Sequence, residues 1–279
     1  MCRLFGFRSV IEAQVHSSLV SADNALMHQS QFHPDGWGVA YYVAGAPHLI
    51  KSDSKAMDDH LFKKVSGIVS SHTVLAHLRK STIGDNSIIN THPFQFGPWV
   101  FAHNGHIENF NHIKPQLVAK ISPQLGRFIL GDTDSEVLFY LILHQLSLTN
   151  SLNDPQCSLP RLVQAVKAAL QIVTSLAGPF LTEETDAADK TYLSFIMTNG
   201  STMLAHQGGK KLYYSTYKKK CPDRDTCKSF APECEAKTTT GLVNHLIFSS
   251  EPLQGENIWI DLQPGQMVGI DSSMFLSLL

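Results

Sequence analysis

Met1-Cys2-Arg3-Leu4-Phe5-Gly6-Phe7-Arg8 opens the chain. Residues 2–8 read as a short, largely apolar strand, which places the start of the chain inside the fold rather than on a frayed tail. Arginine at positions 3 and 8 interrupts the apolar run that a targeting segment would need. Removal of Met1 ahead of a small residue would leave Cys2 with a free α-amine. An α-amine titrates at about 7.7–8.0 and a thiol at about 8.5, so near neutral pH the amine is partly unprotonated beside the sulfur. One residue would then supply nucleophile and base together. Alone, a cysteine at position 2 reads as an ordinary buried thiol, and its meaning depends on what accompanies it.

Working outward, residues 17–28 carry a helical pattern. A turn follows at His33-Pro34-Asp35-Gly36-Trp37-Gly38, then a strand over Val39 to Val43. Residues 73–79 alternate towards a strand that ends at Arg79, and a polar loop runs from there to Pro98. The next strand, Trp99 to Ala102, leads into His103-Asn104-Gly105. Thr133-Asp134-Ser135-Glu136 is a capping box ahead of an apolar run to Leu148, so a helix begins there with Asp134 in its first turn. A second long helix fits residues 159–175. From Tyr192 strands alternate with turns, interrupted by a polar loop at 218–240. Many strands, a few long helices and no regular βαβ rhythm give an α+β class, read as one domain over residues 2–279.

Composition narrows the function. The chain has 279 residues, is 43% hydrophobic and 16% charged and carries a net charge of −2, so it can bury a substantial core and is not disorder-like. Lys218-Lys219-Lys220 is a solvated patch rather than a nucleic-acid footprint, and no nucleic-acid partner is expected. The apolar stretch Val137 to Leu143 is too short to span a bilayer, and no membrane partner is expected. Five cysteines, an odd number, point to a reducing cytoplasm rather than a disulfide scaffold. Cys221, Cys227 and Cys234 are spaced more widely than zinc-ribbon pairs and read as loop thiols, so no metal is expected.

Four motifs accompany Cys2: Arg79-Lys80-Ser81-Thr82; Asn90-Thr91-His92-Pro93-Phe94; His103-Asn104-Gly105-His106-Ile107-Glu108-Asn109; and Thr133-Asp134-Ser135-Glu136. In this order they resemble the class II glutamine amidotransferase domain. The resemblance implies an N-terminal-nucleophile hydrolase fold, a four-layer α/β/β/α sandwich with two mainly antiparallel sheets. It implies that Cys2 is the nucleophile, and that the Asn104 amide and the Gly105 N–H form the oxyanion hole. Arg79 would hold a substrate α-carboxylate, with Thr82 in the same loop, and Asp134 would receive the α-ammonium. His92 would stand near the pocket. His103 and His106 read as structural. No cofactor is implied.

Two departures from synthase-linked domains, Ile83 after Thr82 and the Pro34-Asp35-Gly36-Trp37-Gly38 turn, join Ser250-Glu251-Pro252-Leu253 in resembling a stand-alone branch. That branch includes proteins of bacterial ergothioneine synthesis and fungal glutathione degradation. The expected activity is hydrolysis of the γ-amide of glutamine or of a small γ-glutamyl compound through a thioester. The alternatives are a glutaminase subunit feeding a separate partner subunit, or a catalytically silent binding module of the same fold. Trp37 and Glu251 are candidates for shaping the pocket.

Overall fold

In a computed structural model, residues 2–182 and 190–279 are described. The chain runs through β1 (Arg3–Gln14), α1 (Leu26–Gln29), β2 (Trp37–Val43), β3 (Ala46–Ser52), α2 (His60–Ile68) and β4 (Ser70–Leu78). It continues through β5 (Phe94–Phe96), β6 (Trp99–His106), α3 (Phe110–Val118), α4 (Pro123–Gly126), α5 (Asp134–Ser147) and α6 (Leu159–Ala177). The last strands are β7 (Tyr192–Thr198), β8 (Met203–His206), β9 (Tyr213–Ser215), β10 (His245–Ser249), β11 (Ile260–Asp261), β12 (Met267–Ile270) and β13 (Leu276–Leu278). They form two sheets, ordered β11-β9-β10-β1-β4-β2-β3 and β13-β12-β8-β7-β6-β5. Every strand pairing is antiparallel.

The period of two along each strand sorts side chains into layers. In β1, Leu4 faces the second sheet and packs with Val100, Ala102 and Ile196. Its neighbour Phe5 faces the other way, onto Trp37, Phe62 and Val65 beneath α2. On the far side of the second sheet, Phe101, Phe195 and Met197 pack against Val137, Leu141, Leu162 and Val166 of α5 and α6. The result is helix, sheet, sheet, helix. The α5 segment is buried almost all round, which explains why its sequence lacks an amphipathic stripe.

Elements differ from expectation in three places. Residues 17–28 do not form one helix: a π-type turn at Ser17–Ser21 and the single turn of α1 are separated by an extended Ala22. Asn24, in that break, donates to the Pro252 carbonyl at 2.8 Å and accepts from the Gln254 N–H at 2.8 Å. This polar residue serves the 250s loop rather than a helix, an instance of side-chain–backbone bonding competing with helical structure. Between Val43 and residue 73, where the sequence pattern assigns no element, lie β3 and α2, the latter capped by Asp59 accepting from the Leu61 N–H at 2.8 Å. β1 runs on to Gln14, past residue 8, because a register irregularity between Arg8 and Ala13 lets it keep pairing with β4.

The layers enclose several neutral histidines. Burial pushes the pKa of His33, His206 and His245 down to about 4 and that of His77 to about 3. In the unfolded chain these rings titrate near 6.5, so below that pH the unfolded state binds more protons. The stability they contribute is complete above about pH 6.5 and declines as pH falls towards 4, for His77 towards 3. The urea midpoint is expected to drop steadily from pH 7 to pH 5, at up to about 1.4 kcal/mol per pH unit for each proton taken up. A midpoint that stays flat over this range would contradict the buried neutral rings.

Candidate active site

Arg3 pairs with Leu78 across the β1–β4 ladder. That register brings Cys2, just ahead of β1, against Lys80, just beyond β4. The Cys2 Sγ donates to the Lys80 carbonyl at 3.4 Å and accepts from the Lys80 N–H at 3.3 Å. Burial pushes the thiol pKa up, while the Lys80 N–H and the Arg79 guanidinium pull it down. To act as a nucleophile, a thiol held this way would need a base.

The turn at 33–38 clamps the end of β4. The Asp35 N–H donates to the Arg79 carbonyl at 3.1 Å, the Arg79 N–H to the Gly36 carbonyl at 2.8 Å, and the Ser81 N–H to the Asp35 carboxylate at 2.8 Å. Gly38 lies against the His92 carbonyl so closely that a Cβ there would collide with it. The same turn therefore seats both the Arg79 segment and the His92 loop. Sequence reading saw a turn here but not its role. The one available signal was an aspartate in a Pro-Asp-Gly turn, a residue type that bonds nearby backbone.

Arg79 is almost fully buried. Its Nη1 donates to the Asp85 carbonyl and the Asn86 Oδ1, and its Nη2 to the Ser81 Oγ and the carbonyls of Ile83 and Gly84. The guanidinium thus curls residues 81–86 around itself. Thr82 sits on this loop and is exposed, yet reaches the pocket wall.

Asn104 and Gly105 end β6. A Cβ on Gly105 would collide with the Tyr192 carbonyl and the His103 ring, so the backbone is bare where an oxyanion donor would be needed. The Asn104 Oδ1 is buried without a partner. His103 lies between the Tyr192 carbonyl, 3.0 Å from Nε2, and the Ser135 Oγ, 2.9 Å from Nδ1. A carbonyl only accepts, so Nε2 carries the proton and Nδ1 accepts from the serine. Burial lowers the His103 pKa, and the ring serves as structure, as its sequence context suggests.

Thr133 caps α5 by accepting from the Glu136 N–H at 3.2 Å. Glu136 reaches back to the N–H groups of Leu130 and Gly131 at 3.1 and 2.7 Å. Asp134, buried in the first turn, accepts from Ile107 N–H at 2.7 Å and from Ser135 N–H at 2.8 Å. His92 is buried, packs at a tilt against His77 with ring centroids 4.2 Å apart, and has both ring nitrogens without a partner among the described residues. Its pKa is held well below the usual value, first by burial and then by the neighbouring His77, His103, Arg79 and Lys51.

Cys2, Arg79, Thr82, His92, Gly105 and Asp134 line one small inner pocket, with a cavity volume of about 20 Å³. Asn104 lines a neighbouring outer cavity of about 480 Å³, and Lys80 borders both. Six of the seven residues singled out from the sequence thus line the inner pocket and Asn104 lines the neighbouring cavity; Met1 lies outside the described residues. Glu251 lines the outer cavity and pairs with Arg3. Trp37 does not reach it: the indole is fully buried against Phe62 and donates to Asp59 at 3.0 Å. Cys221, Cys227 and Cys234 are free thiols around a separate cavity with His245. Among the described residues no three His, Cys, Asp or Glu side chains are grouped closely enough to hold a metal ion, and no helix is long and apolar enough to cross a membrane.

Comparison with known proteins bears on the fold and the family. The chain is 30% identical over 223 residues to a Saccharomyces cerevisiae protein named "Probable glutamine amidotransferase DUG3", covering 73% of this chain and 62% of the yeast protein. The chain thus spans less than two thirds of that relative's length. Among solved structures, a glutamine aminotransferase class-II domain protein from Silicibacter pomeroyi superposes with a TM-score of 0.62 at 22% identity, covering 100% of this chain and 98% of the other. The glutamine phosphoribosylpyrophosphate amidotransferase of Bacillus subtilis gives 0.61 at 16% identity, covering 100% of this chain and 49% of the other. At such identities these two likenesses speak to the fold, the layered sandwich. The family model for class-II glutamine amidotransferases matches residues 1–275, and the chain belongs to that family.

Proposed function

We propose that this enzyme, whose family acts on amide C–N bonds, is a hydrolase in which Cys2, freed of Met1, attacks the γ-amide of glutamine or of a γ-glutamyl compound. One observation carries the reading. The Cys2 sulfur lines a small pocket bearing one guanidinium and one carboxylate, and Lys80, whose backbone holds that sulfur, also borders a larger cavity bearing the Asn104 amide. A glutamyl head fits the first by charge: its α-ammonium matches Asp134 and its α-carboxylate Arg79. The carboxylate would take the place of the replaceable acceptors on Arg79, Ser81 Oγ and Asn86 Oδ1, while the backbone carbonyls keep their bonds.

In the proposed reaction the Cys2 α-amine takes the thiol proton as sulfur bonds to the amide carbon. The oxyanion is met by the Asn104 side-chain amide and the Gly105 N–H. Collapse breaks the C–N bond, and the α-ammonium returns the proton to the departing amine. Water then cleaves the thioester, releasing glutamate and restoring the thiol.

Intact mass of active protein is expected to lack Met1, and Cys2→Ala is expected to abolish hydrolysis while leaving the unfolding midpoint within error of the parent. Full turnover by protein that retains Met1 would remove the base and with it the mechanism.

Asn104→Ala is expected to lower kcat by roughly 10²–10³ with little change in KM, because its donor serves the transition state. Asp134→Asn keeps the shape but loses the charge, and KM for glutamine should rise roughly 10–10²-fold. The opposite pattern would reassign both residues.

A substrate panel separates the two leading readings. γ-Glutamyl peptides and anilides are expected to turn over at least as fast as glutamine, and α-linked glutamyl peptides not at all, since they leave the buried charges unmatched. Strict preference for free glutamine would point instead to a glutaminase subunit that passes ammonia to a partner.

A further inference from the structure

The outer cavity holds a histidine that the reaction above does not use. His33 is 4% exposed and lines both the outer cavity and the one beside it. Its Nδ1 lies 2.7 Å from the Gln29 carbonyl. That oxygen can only accept, so Nδ1 carries the proton and Nε2 presents a lone pair. Among the described residues no group hydrogen-bonds Nε2, and it is not among the buried polar atoms left without a partner, so it opens to the space the ring lines. Burial, together with Arg3 and Lys80, holds the ring's pKa down to about 4, keeping it neutral. The turn carrying His33 is the one bonded to Arg79 and Ser81, so the imidazole is fixed relative to Lys80 and the sulfur it holds.

The second half of the proposed reaction needs such a group. With a glutamyl head in the inner pocket, the space left beside Lys80, and so beside the sulfur that Lys80 holds, is the outer cavity. A water poised to attack must donate a hydrogen bond in order to aim a lone pair at carbon. The cavity wall is rich in donors, among them Arg3, Lys80 and Lys211. Of the other acceptors, the Glu251 Oε1 is engaged by Arg3, the Ser250 Oγ accepts from Leu4 N–H at 2.9 Å, and Asn104 is assigned to the oxyanion. His33 supplies an uncharged acceptor facing the same space.

We propose that His33 is a positioning residue for deacylation: its Nε2 accepts one hydrogen bond from the water that hydrolyses the thioester on Cys2. The water oxygen bonds to the acyl carbon and the C–S bond breaks. The water's other proton passes to the Cys2 α-amine and from there to the departing sulfur, leaving glutamate and the free thiol. This rests on Cys2 being the nucleophile.

The experiment uses the Met1-free enzyme, a γ-glutamyl anilide, rapid quenching and intact-mass detection of the acyl-enzyme. In His33→Ala, the first-turnover release of the aniline is expected to stay within about threefold of the parent. Steady-state kcat should fall on the order of 10²-fold, with KM falling alongside it and the thioester accumulating on Cys2. Hydroxylamine, a stronger nucleophile, should restore most of the turnover. His33→Gln, which offers a neutral amide acceptor, should accumulate less thioester than His33→Ala, and it carries the test if the alanine variant does not fold. Equal slowing of both half-reactions, or unchanged constants with no accumulation, would overturn the role of His33 while leaving the nucleophile intact. Absence of a thioester in the parent enzyme under every condition would overturn both.

Discussion

The site depends on one register. Because Arg3 stands opposite Leu78 in the β1–β4 ladder, the residue before the first strand meets the residues after the fourth, and the Cys2 sulfur is gripped by the N–H and C=O of Lys80. A slip of one residue would turn every side chain of β1 to the opposite face. Leu4 would leave the layer between the sheets, Phe5 would leave the α2 layer, and both hydrophobic layers oppose that exchange. The aromatic and aliphatic alternation of residues 4–7 thus does two things: it fills two separate layers, and it fixes the position of the sulfur.

A second constraint is electrostatic. Arg79, Asp134 and Glu136 are all buried, and an unpaired charge in such a place would be costly. Each is met mainly by backbone. Arg79 gathers three carbonyls of its own loop, Asp134 holds two N–H groups near the ends of β6 and α5, and Glu136 holds two more ahead of α5. Main-chain dipoles in these positions leave the charges in place, and their fields converge on the pocket where Arg79 and Asp134 lie. The α5 N-terminus adds its own positive end beside Asp134.

How much of this was legible in the sequence follows from the range of each cause. The motifs at 79–82, 90–94, 103–109 and 133–136 are local, and the residues they single out, together with Cys2, line two neighbouring cavities. The capping box at Thr133 is a local hydrogen-bond pattern, and the helix begins where it predicts. The roles of Asp35, Asn24 and His33 rest on contacts with segments that sequence spacing does not bring together. Asp35 meets Ser81, Asn24 meets Pro252, and His33 reaches a cavity whose other walls come from β1, β6 and the 250s loop. The break between Ser21 and Ala25 was hidden for the same reason, since Asn24 bonds a distant loop that its own neighbourhood does not announce. Trp37 was drawn toward the pocket by its place in a conspicuous turn, but strand alternation sends its ring to the α2 layer.

Where the fold leaves polar atoms unmatched is informative in its own right. Among the described residues, nine buried side-chain nitrogen and oxygen atoms lack a partner. Six of them belong to Arg3, His77, His92, Asn104 and His106, which surround Cys2 and Asp134. Buried polar groups are nearly always satisfied elsewhere in proteins, because each orphan costs roughly 1–3 kcal/mol. A concentration of orphans at one point therefore marks where the protein forgoes stability for something that arrives from outside. Under the proposed function the missing partners are those a glutamyl head and its attendant waters would provide. A small charged inner pocket with Cys2 on its wall, beside a larger outer cavity, would then favour strictness about the acyl half of the substrate and tolerance of the amine.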